Sequence, residues 1–403
     1  MPHIVPEVET FARIKVVGAG GSGKNTLNHM INSKVKGVDF IAVNTDAQDL
    51  HHSLAKKKIH VGKNLTKGLG TGMNPDLGRR AVEETKEELQ EALKGADMVF
   101  VAGGMGGGTG SGAAPVIAKT AKELGALTVA VVTRPFFFEG IQRMRLADQA
   151  LENLRKEVDS IIVIPNDRLL SNIDRTTTAK AAFAMCDEVL KQAVEGISDL
   201  ITTPGIINID FADIRSILEN TGTALMGIGV ASGEKRSEDA AKMAISSPLL
   251  DVSIAGAKGV LFSIAGGDDL TMFEIQDAAK VITESIDPNA KVIFGTVRDE
   301  KLKKGEVKVT VIASGFGDAP TQNAASAVVR SKSLFSSSAP EQKEEPKGKI
   351  HNSVTPPPAP VMKEEKQEPK PQPIVEDKKA AIPTIESEDD DWGAVPAFLR
   401  RKK

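Results

Sequence analysis

The chain is poor in the residues from which several common kinds of site are built. Its 403 residues include one cysteine, Cys186, so no intrachain disulfide can form, which fits a reducing compartment. Tyrosine is absent and Trp392 is the only tryptophan; nothing about function follows from the missing tyrosine. No spacing of His, Cys and Asp makes a zinc site, and no protein-borne metal site is expected. Lys and Arg (51) nearly balance Asp and Glu (54), so the formal net charge is only -3. That balance gives no general electrostatic reason to expect a nucleic-acid partner. No apolar run approaches the roughly 20 residues that span a bilayer, so direct membrane insertion is not expected. The opening residues, MPHIVPEVET, have no basic stretch followed by an apolar one and do not read as a signal peptide. The composition predicts a soluble, cytoplasmic protein. What the chain does have is 40% hydrophobic residues and a length sufficient for two or three domains.

After a short N-terminal extension, residues 1–11, short apolar runs alternate with helix-like stretches over residues 12–177. The runs are RIKVVGAG, DFIAVNTD, ADMVFVAGG, LTVAVVTRP and VDSIIVIPND; between them lie stretches such as DLGRRAVEETKEELQEALKG and SGAAPVIAKTAKELG. This alternation predicts βαβ units and a parallel sheet covered on both faces. Residues 178–205 hold one long helix and its connection, with Phe183, Val189, Leu190 and Val194 at near-helical spacing. Residues 206–318 read as a smaller α+β domain, with helices near FADIRSILENTG and SEDAAKMAISS and strands in KGVLFSIAGG, AKVIFGTVRD and GEVKVTVIASGF. Residues 319–387 are rich in Pro, Glu, Lys and Ser and predict a disordered linker. Residues 388–403 regain apolar character in DDDWGAVPAFLRRKK, the pattern of a short docking peptide.

The first glycine-rich segment, GAGGSGKNT, matches two phosphate-binding templates in part. As G-x-G-x-x-G it suits a dinucleotide, and Asp46 in VNTDAQ could be the ribose acid. As G-x-x-x-x-G-K-[ST] it fails at Asn25, where a magnesium-binding hydroxyl is needed. A second segment, GGMGGGTGSGAAP, also follows a strand and opens a helix. Its glycines can turn backbone N–H groups toward one anion, with the helix dipole behind them and the hydroxyls of Thr109 and Ser111 beside them. Two such loops do not suit a simple P-loop enzyme. An NAD(P) enzyme remains the rival reading, though it leaves the second loop idle.

Taken with NTDAQ, TRPFFFEGIQRMR, PNDRLL, PGIINIDFADIR and the tail VPAFLRR, these loops resemble the FtsZ family of bacterial cell-division proteins, prokaryotic relatives of tubulin. The resemblance covers about residues 12–318 and the last dozen. It implies a tubulin-like fold: a Rossmann-like GTPase domain, a long central helix and a smaller C-terminal domain. It also implies a self-assembling GTPase that forms head-to-tail filaments at the division site, on the inner face of the cytoplasmic membrane. GTP and GDP would be the ligands, with Mg2+ carried by the nucleotide.

By that resemblance, the phosphates belong to Gly20, Gly21, Ser22, Gly23, Lys24 and Asn25 and to Gly106, Gly107, Gly108, Thr109 and Gly110. Asn44 and Asp46 lie at the same rim. Thr133 and Glu139 face the ribose, Arg143 lies near the phosphates, and Asn166, Phe183 and Asp187 take the base. Without the resemblance, Phe183 would read as core, Asp187 as a solvated helix face and Arg143 as surface. Phe136 to Phe138 read as packing at a strand end, Cys186 as packed and inert, and the His51–His52 and Lys56–Lys58 runs as solvated loops. Lys24 stands where many members carry a small residue, and its direction stays open.

The segment NIDFADIR places Asn208, Asp210 and Asp213 at a loop entering a helix, where acids also suit the helix dipole. The resemblance implies instead that this loop completes the GTP site of the next subunit, with Asp210 and Asp213 orienting the attacking water. In the tail, Val395, Pro396, Phe398, Leu399 and Arg400 would dock on membrane-tethering and regulatory division proteins. The Trp392–Gly393 lead-in departs from the family's usual acidic and apolar approach. A filament with another task, such as plasmid segregation or cell shape, and a non-hydrolysing scaffold are the remaining alternatives.

Overall fold

A computed structural model describes residues 12–170, 176–203, 205–247, 254–299 and 302–316. The N-terminal extension, the linker and the docking tail expected from the sequence lie outside the described residues.

The elements run in chain order as β1 (Ile14–Ala19), α1 (Gly20–Asn32), β2 (Val38–Asn44), α2 (Ala47–His51), β3 (Lys57–His60), α3 (Lys63–Thr66), α4 (Pro75–Glu84), α5 (Lys86–Leu93), β4 (Met98–Gly104), α6 (Gly108–Glu123) and β5 (Leu127–Arg134). A 3-10 turn, Phe137–Glu139, leads to α7 (Ile141–Arg155), β6 (Ser160–Pro165), α8 (Asn166–Leu170) and α9 (Ala179–Thr202). Then come α10 (Phe211–Leu218), β7 (Gly222–Ser232), α11 (Arg236–Ile245), β8 (Gly259–Gly266), α12 (Met272–Thr283), β9 (Lys291–Arg298) and β10 (Glu306–Ser314).

The strands form one sheet in the order β3-β2-β1-β4-β5-β6-β7-β10-β8-β9. From β3 to β7 every pairing is parallel; β10 is antiparallel to both β7 and β8, and β8 and β9 are parallel. The order places β1 beside β4, and the chain leaves them in opposite directions, through α1 toward β2 and through α6 toward β5. That is the switch point of a doubly wound sheet, where a crevice opens beyond the carboxyl ends of the strands. The glycine-rich segments sit there.

Alternate residues of the parallel strands feed two cores, as the pleat requires. Val16 and Phe100 pack with Leu190, Val194 and Ile197 of α9 on one face. Val17, Val99 and Val101 pack with Ile117 of α6 and Leu154 of α7 on the other. The α9 core continues into Met226, Leu261 and Ile312 from the later strands. A third core, around Phe262, Val309 and Ile275, belongs to α11, α12 and the later strands.

Several local expectations change. The stretch DLGRRAVEETKEELQEALKG forms two helices, α4 and α5, because Thr85 leaves helical geometry (φ -115, ψ 23) and its hydroxyl donates back to the Ala81 carbonyl. Lys57 and Lys58, expected in a loop, begin the edge strand β3, and His51 ends α2. Lysines on an exposed edge discourage further strand pairing. The long helix starts where expected, capped by the Thr178 hydroxyl accepting from Ala181 N, and runs on to Thr202. Strand β7 and helix α12 carried no expectation. In β7, glycines hide the pattern: an added Cβ at Gly227 or Gly229 would stand 1.9 or 2.0 Å from the carbonyls of Ala244 and Ala240, so α11 lies directly on the strand's backbone. Helix α12 carries a capping box in its sequence, Thr271 with Glu274.

Candidate functional site

At the switch point lies a cleft of about 440 Å³. A larger cavity, about 560 Å³, opens by the opposite ends of β1 and β2, lined by Lys15, Val38 and Phe40 among others. It gathers no glycine loop and no helix N-terminus, so the chemistry points to the smaller one.

Two helices start side by side at one end of the cleft. Helix α1 begins at Gly20, straight off β1, and Gly20 takes a left-handed backbone (φ +71) to make that corner. A Cβ there would stand 2.9 Å from the backbone N of Gly110, so the two glycine loops touch. Helix α6 begins at Gly108. Neither helix has a side-chain N-cap or an acid in its first turn. Their free N–H groups and positive dipole ends converge on one space, the arrangement that binds phosphate.

The second loop is braced from behind. The Ser111 hydroxyl accepts from Gly106 N at 2.8 Å. The Thr109 hydroxyl lies 2.8 Å from that of Thr45 and 3.2 Å from that of Thr71. Both hydroxyls that could have met a phosphate are therefore already engaged within the fold.

At the other end of the cleft, Asn166 opens α8 and is buried, with its Oδ1 unpartnered among the described residues. A buried acceptor without a donor calls for a ligand. Phe183, half exposed, meets Phe136 edge to face, with ring centroids 5.3 Å apart. Asp187, one turn along α9, accepts from the Thr26 hydroxyl at 2.7 Å. Burial raises its pKa, and the Thr26 hydrogen bond works against that rise. Burial also pushes the neighbouring Cys186 thiol up to about 12, which keeps it protonated and inert. On the rim, the Arg143 guanidinium donates to Glu139 Oε2 at 2.7 Å, and Glu139 Oε1 accepts from Phe136 N.

The cleft thus brings together Gly20, Gly21, Ser22 and Asn25 from the first loop, Gly107 to Gly110 from the second, and Thr133, Glu139, Arg143, Asn166, Phe183 and Asp187. Five expected residues do not line it. Gly23 packs against the backbone of Gly18 and Ala102, and Gly106 against Arg143. Lys24 turns aside and pairs with Asp49 Oδ1 at 2.6 Å, while Asn44 donates to the other oxygen of Asp49. Asp46 caps α2, accepting from Asp49 N at 2.9 Å. Asn208, Asp210 and Asp213 are also elsewhere, all three exposed. Asp210 caps α10, accepting from Ala212 N, and Asn208 accepts from Gly205 N.

Residues not anticipated complete the wall: Thr71, Gly72 and Met73 from the loop before α4, with Met105, Pro135 and Leu190. A signal for that loop was present in KGLGTGMNP, a third glycine-rich segment between two helices. Its Lys67, Gly68, Gly72 and Met73 all take positive φ.

Two family models match the chain. The GTPase domain of the Tubulin/FtsZ family matches residues 13–174, and the C-terminal domain of the FtsZ family matches residues 222–317. Among solved structures, an empty FtsZ dimer from M. jannaschii is 46% identical with a TM-score of 0.73; the match covers 76% of this chain and 89% of that one. A GTPγS-bound CetZ2 protofilament from Haloferax volcanii is 22% identical with a TM-score of 0.64, over 75% and 92% of the two chains, a likeness of fold alone. A GDP-bound CetZ1 monomer from the same organism is similar to the same degree, 22% identical with a TM-score of 0.67, over 76% and 96%.

Proposed function

The chain belongs to the Tubulin/FtsZ family of GTPases, and from that premise we propose that it assembles head to tail into filaments that build the division ring, each copy completing the GTP site of its neighbour. The phosphates lie on the N-termini of α1 and α6, where backbone donors and helix dipoles meet them. Asp187 accepts from the two adjacent donors of guanine, Asn166 meets the base edge, and Phe183 stacks on its face. Glu139 takes the ribose, with Arg143 beside it.

The observation that carries the shared site is a separation. The phosphate end of the cleft offers donors, while Asp210 and Asp213, exposed on α10, take no part in lining it. A second copy must bring them. Exposed apolar side chains fit such a contact: Phe137, Phe138 and Ile141 beyond the cleft's rim, and Ile206 beside the acidic loop. A heterologous contact that does not close makes a filament.

In the joined site, Asp210 and Asp213 of the incoming copy orient the attacking water toward the terminal phosphate, and the helix N-termini hold the charge that develops on its oxygens. Among the described residues no group of three or more His, Cys, Asp or Glu converges as a metal cage. Asp46 and Asp49 are already taken by α2 and Lys24. Magnesium therefore suits this site as a companion of the nucleotide, on phosphate oxygens and water, where it would offset phosphate charge.

No helix among the described residues is long and apolar enough to cross a membrane. Placement at midcell, on the inner face of the cytoplasmic membrane, is assigned to the tail around Val395, Pro396, Phe398, Leu399 and Arg400, docking on a membrane-tethered partner. GTP turnover per molecule, followed against protein concentration with sedimentation alongside, tests the shared site. A threshold below which turnover vanishes and nothing pellets is expected. Constant turnover down to high dilution would mean that each chain carries a complete site.

A further inference from the structure

Thr26 lies on α1, directly after Asn25 of the first phosphate loop and one turn beyond Ser22, and is fully buried. Its hydroxyl has a single proton and two acceptors in reach: the Ser22 carbonyl one turn back, at 3.1 Å, and Asp187 Oδ1 across the gap to α9, at 2.7 Å. The carboxylate is nearer and charged, so it takes the proton's bond. Nothing in phosphate binding or hydrolysis uses this contact.

We propose that Thr26 is a positioning residue for base recognition: its hydroxyl fixes the rotamer and charge of the Asp187 carboxylate, and so joins the phosphate-binding helix to the group that selects guanine. The proposal rests on the reading of Asp187 as the acceptor for the base. A carboxylate that meets two donors at once must present both oxygens in one plane, and on a half-open cleft wall it needs an anchor to stay there. Burial works to neutralise Asp187, whereas recognition needs it ionised.

The charged and titratable groups around Asp187 do not replace that anchor. Lys24 is committed to Asp49, and His29, one turn beyond Thr26, to Glu188, the residue after Asp187, at 2.8 Å. Across the cleft, Glu139 and Arg143 pair with each other. Cys186, its neighbour on α9, is a neutral thiol whose proton goes to the Ala182 carbonyl. The His29–Glu188 contact also ties α1 to α9 independently, so removing the Thr26 hydroxyl leaves a second bridge between the helices.

The test is GTP and ITP binding by calorimetry across a pH series, on the full chain at concentrations where nothing pellets. Inosine lacks the exocyclic amine and so needs only one oxygen of the carboxylate. In Thr26→Val, GTP affinity at neutral pH is expected to fall about tenfold, ITP affinity to fall less, and the pH below which GTP binding is lost to move upward. Thr26→Ser should restore all three, and Thr26→Ala repeats the deletion with a smaller side chain should valine crowd the site. Wild-type affinity, preference and pH profile in both Thr26→Val and Thr26→Ala would overturn the proposal. Asp187→Asn separates the two layers. If it binds GTP normally, the base reading of Asp187 fails and the proposal with it. If it binds poorly while Thr26→Val does not, only the anchoring role is lost.

Discussion

Arg236 is nearly buried at the start of α11, and its guanidinium fork donates to Glu274 and to Asp269. That pairing holds the Glu274 carboxyl down to about 2. A depressed carboxylate stabilises the fold above its unfolded value, and that contribution drains away as pH falls toward the folded one. Arg236→Met should therefore cost about 2 kcal/mol at neutral pH and flatten the acid limb of stability between roughly pH 5 and 2. Urea unfolding across that range checks both; an unchanged acid limb would remove Arg236 as the cause. At the same scale, motif could be read but commitment could not. Lys24, Asp46 and Asn44 stand in a phosphate-loop context, yet Asp49, which carried no expectation, draws two of them to itself and is capped by the third. Such pairings join residues brought together by α1 and α2, and no local pattern marks them. The cleft wall was legible where chemistry forces residue type, as at Gly20 and Gly107 to Gly110, and not where it is supplied by packing, as at Met105 and Leu190.

Among elements, the parallel strands β1, β2, β4, β5 and β6 were legible because buried strands write continuous apolar runs, while the short lysine-bearing edge strand β3 was not. Strand β7 was not, since Gly227 and Gly229 interrupt its run for the sake of α11. Gly229→Ala would drive a methyl into the Ala240 carbonyl, and rigid backbone on both sides leaves no cheap relief. The expected result is a loss of about 2–3 kcal/mol in chemical unfolding, with GTP binding by the folded fraction intact. A substitution that left stability untouched would show that α11 can lift from the strand. Helix α10 makes the opposite case. Its acids serve as ordinary N-terminal helix residues, Asp210 at the cap and Asp213 in the first turn. Asp213→Ala should then lower stability by no more than about 0.5 kcal/mol and leave GTP binding in place, while turnover falls sharply in the pelleted polymer. Full turnover in that variant would refute a shared acidic loop.

For the whole molecule, one sheet runs through both halves, joined where β6 meets β7 over three residue pairs, Ser160–Gly222 to Ile162–Ala224. Sequence could divide the chain at the long helix but could not foresee this seam, because β6 and β7 are separated in the chain by α8, α9 and α10 and no local pattern marks their pairing. The tail belongs to this scale too. Removing residues 391–403 is expected to spare polymerisation and abolish recruitment to the membrane; a truncated protein that still localises at midcell would count against docking through the tail.

Helix α9 has a last consequence. Its 24 residues make a rod about 36 Å long. Phe183 rides near one end, with Asp187 one turn further in, and the other end feeds the acidic loop within a few residues. If one copy's base-binding end meets the next copy's acids, the step from copy to copy is gauged by a bar of fixed pitch, not by soft loops. Such a polymer has little freedom to stretch.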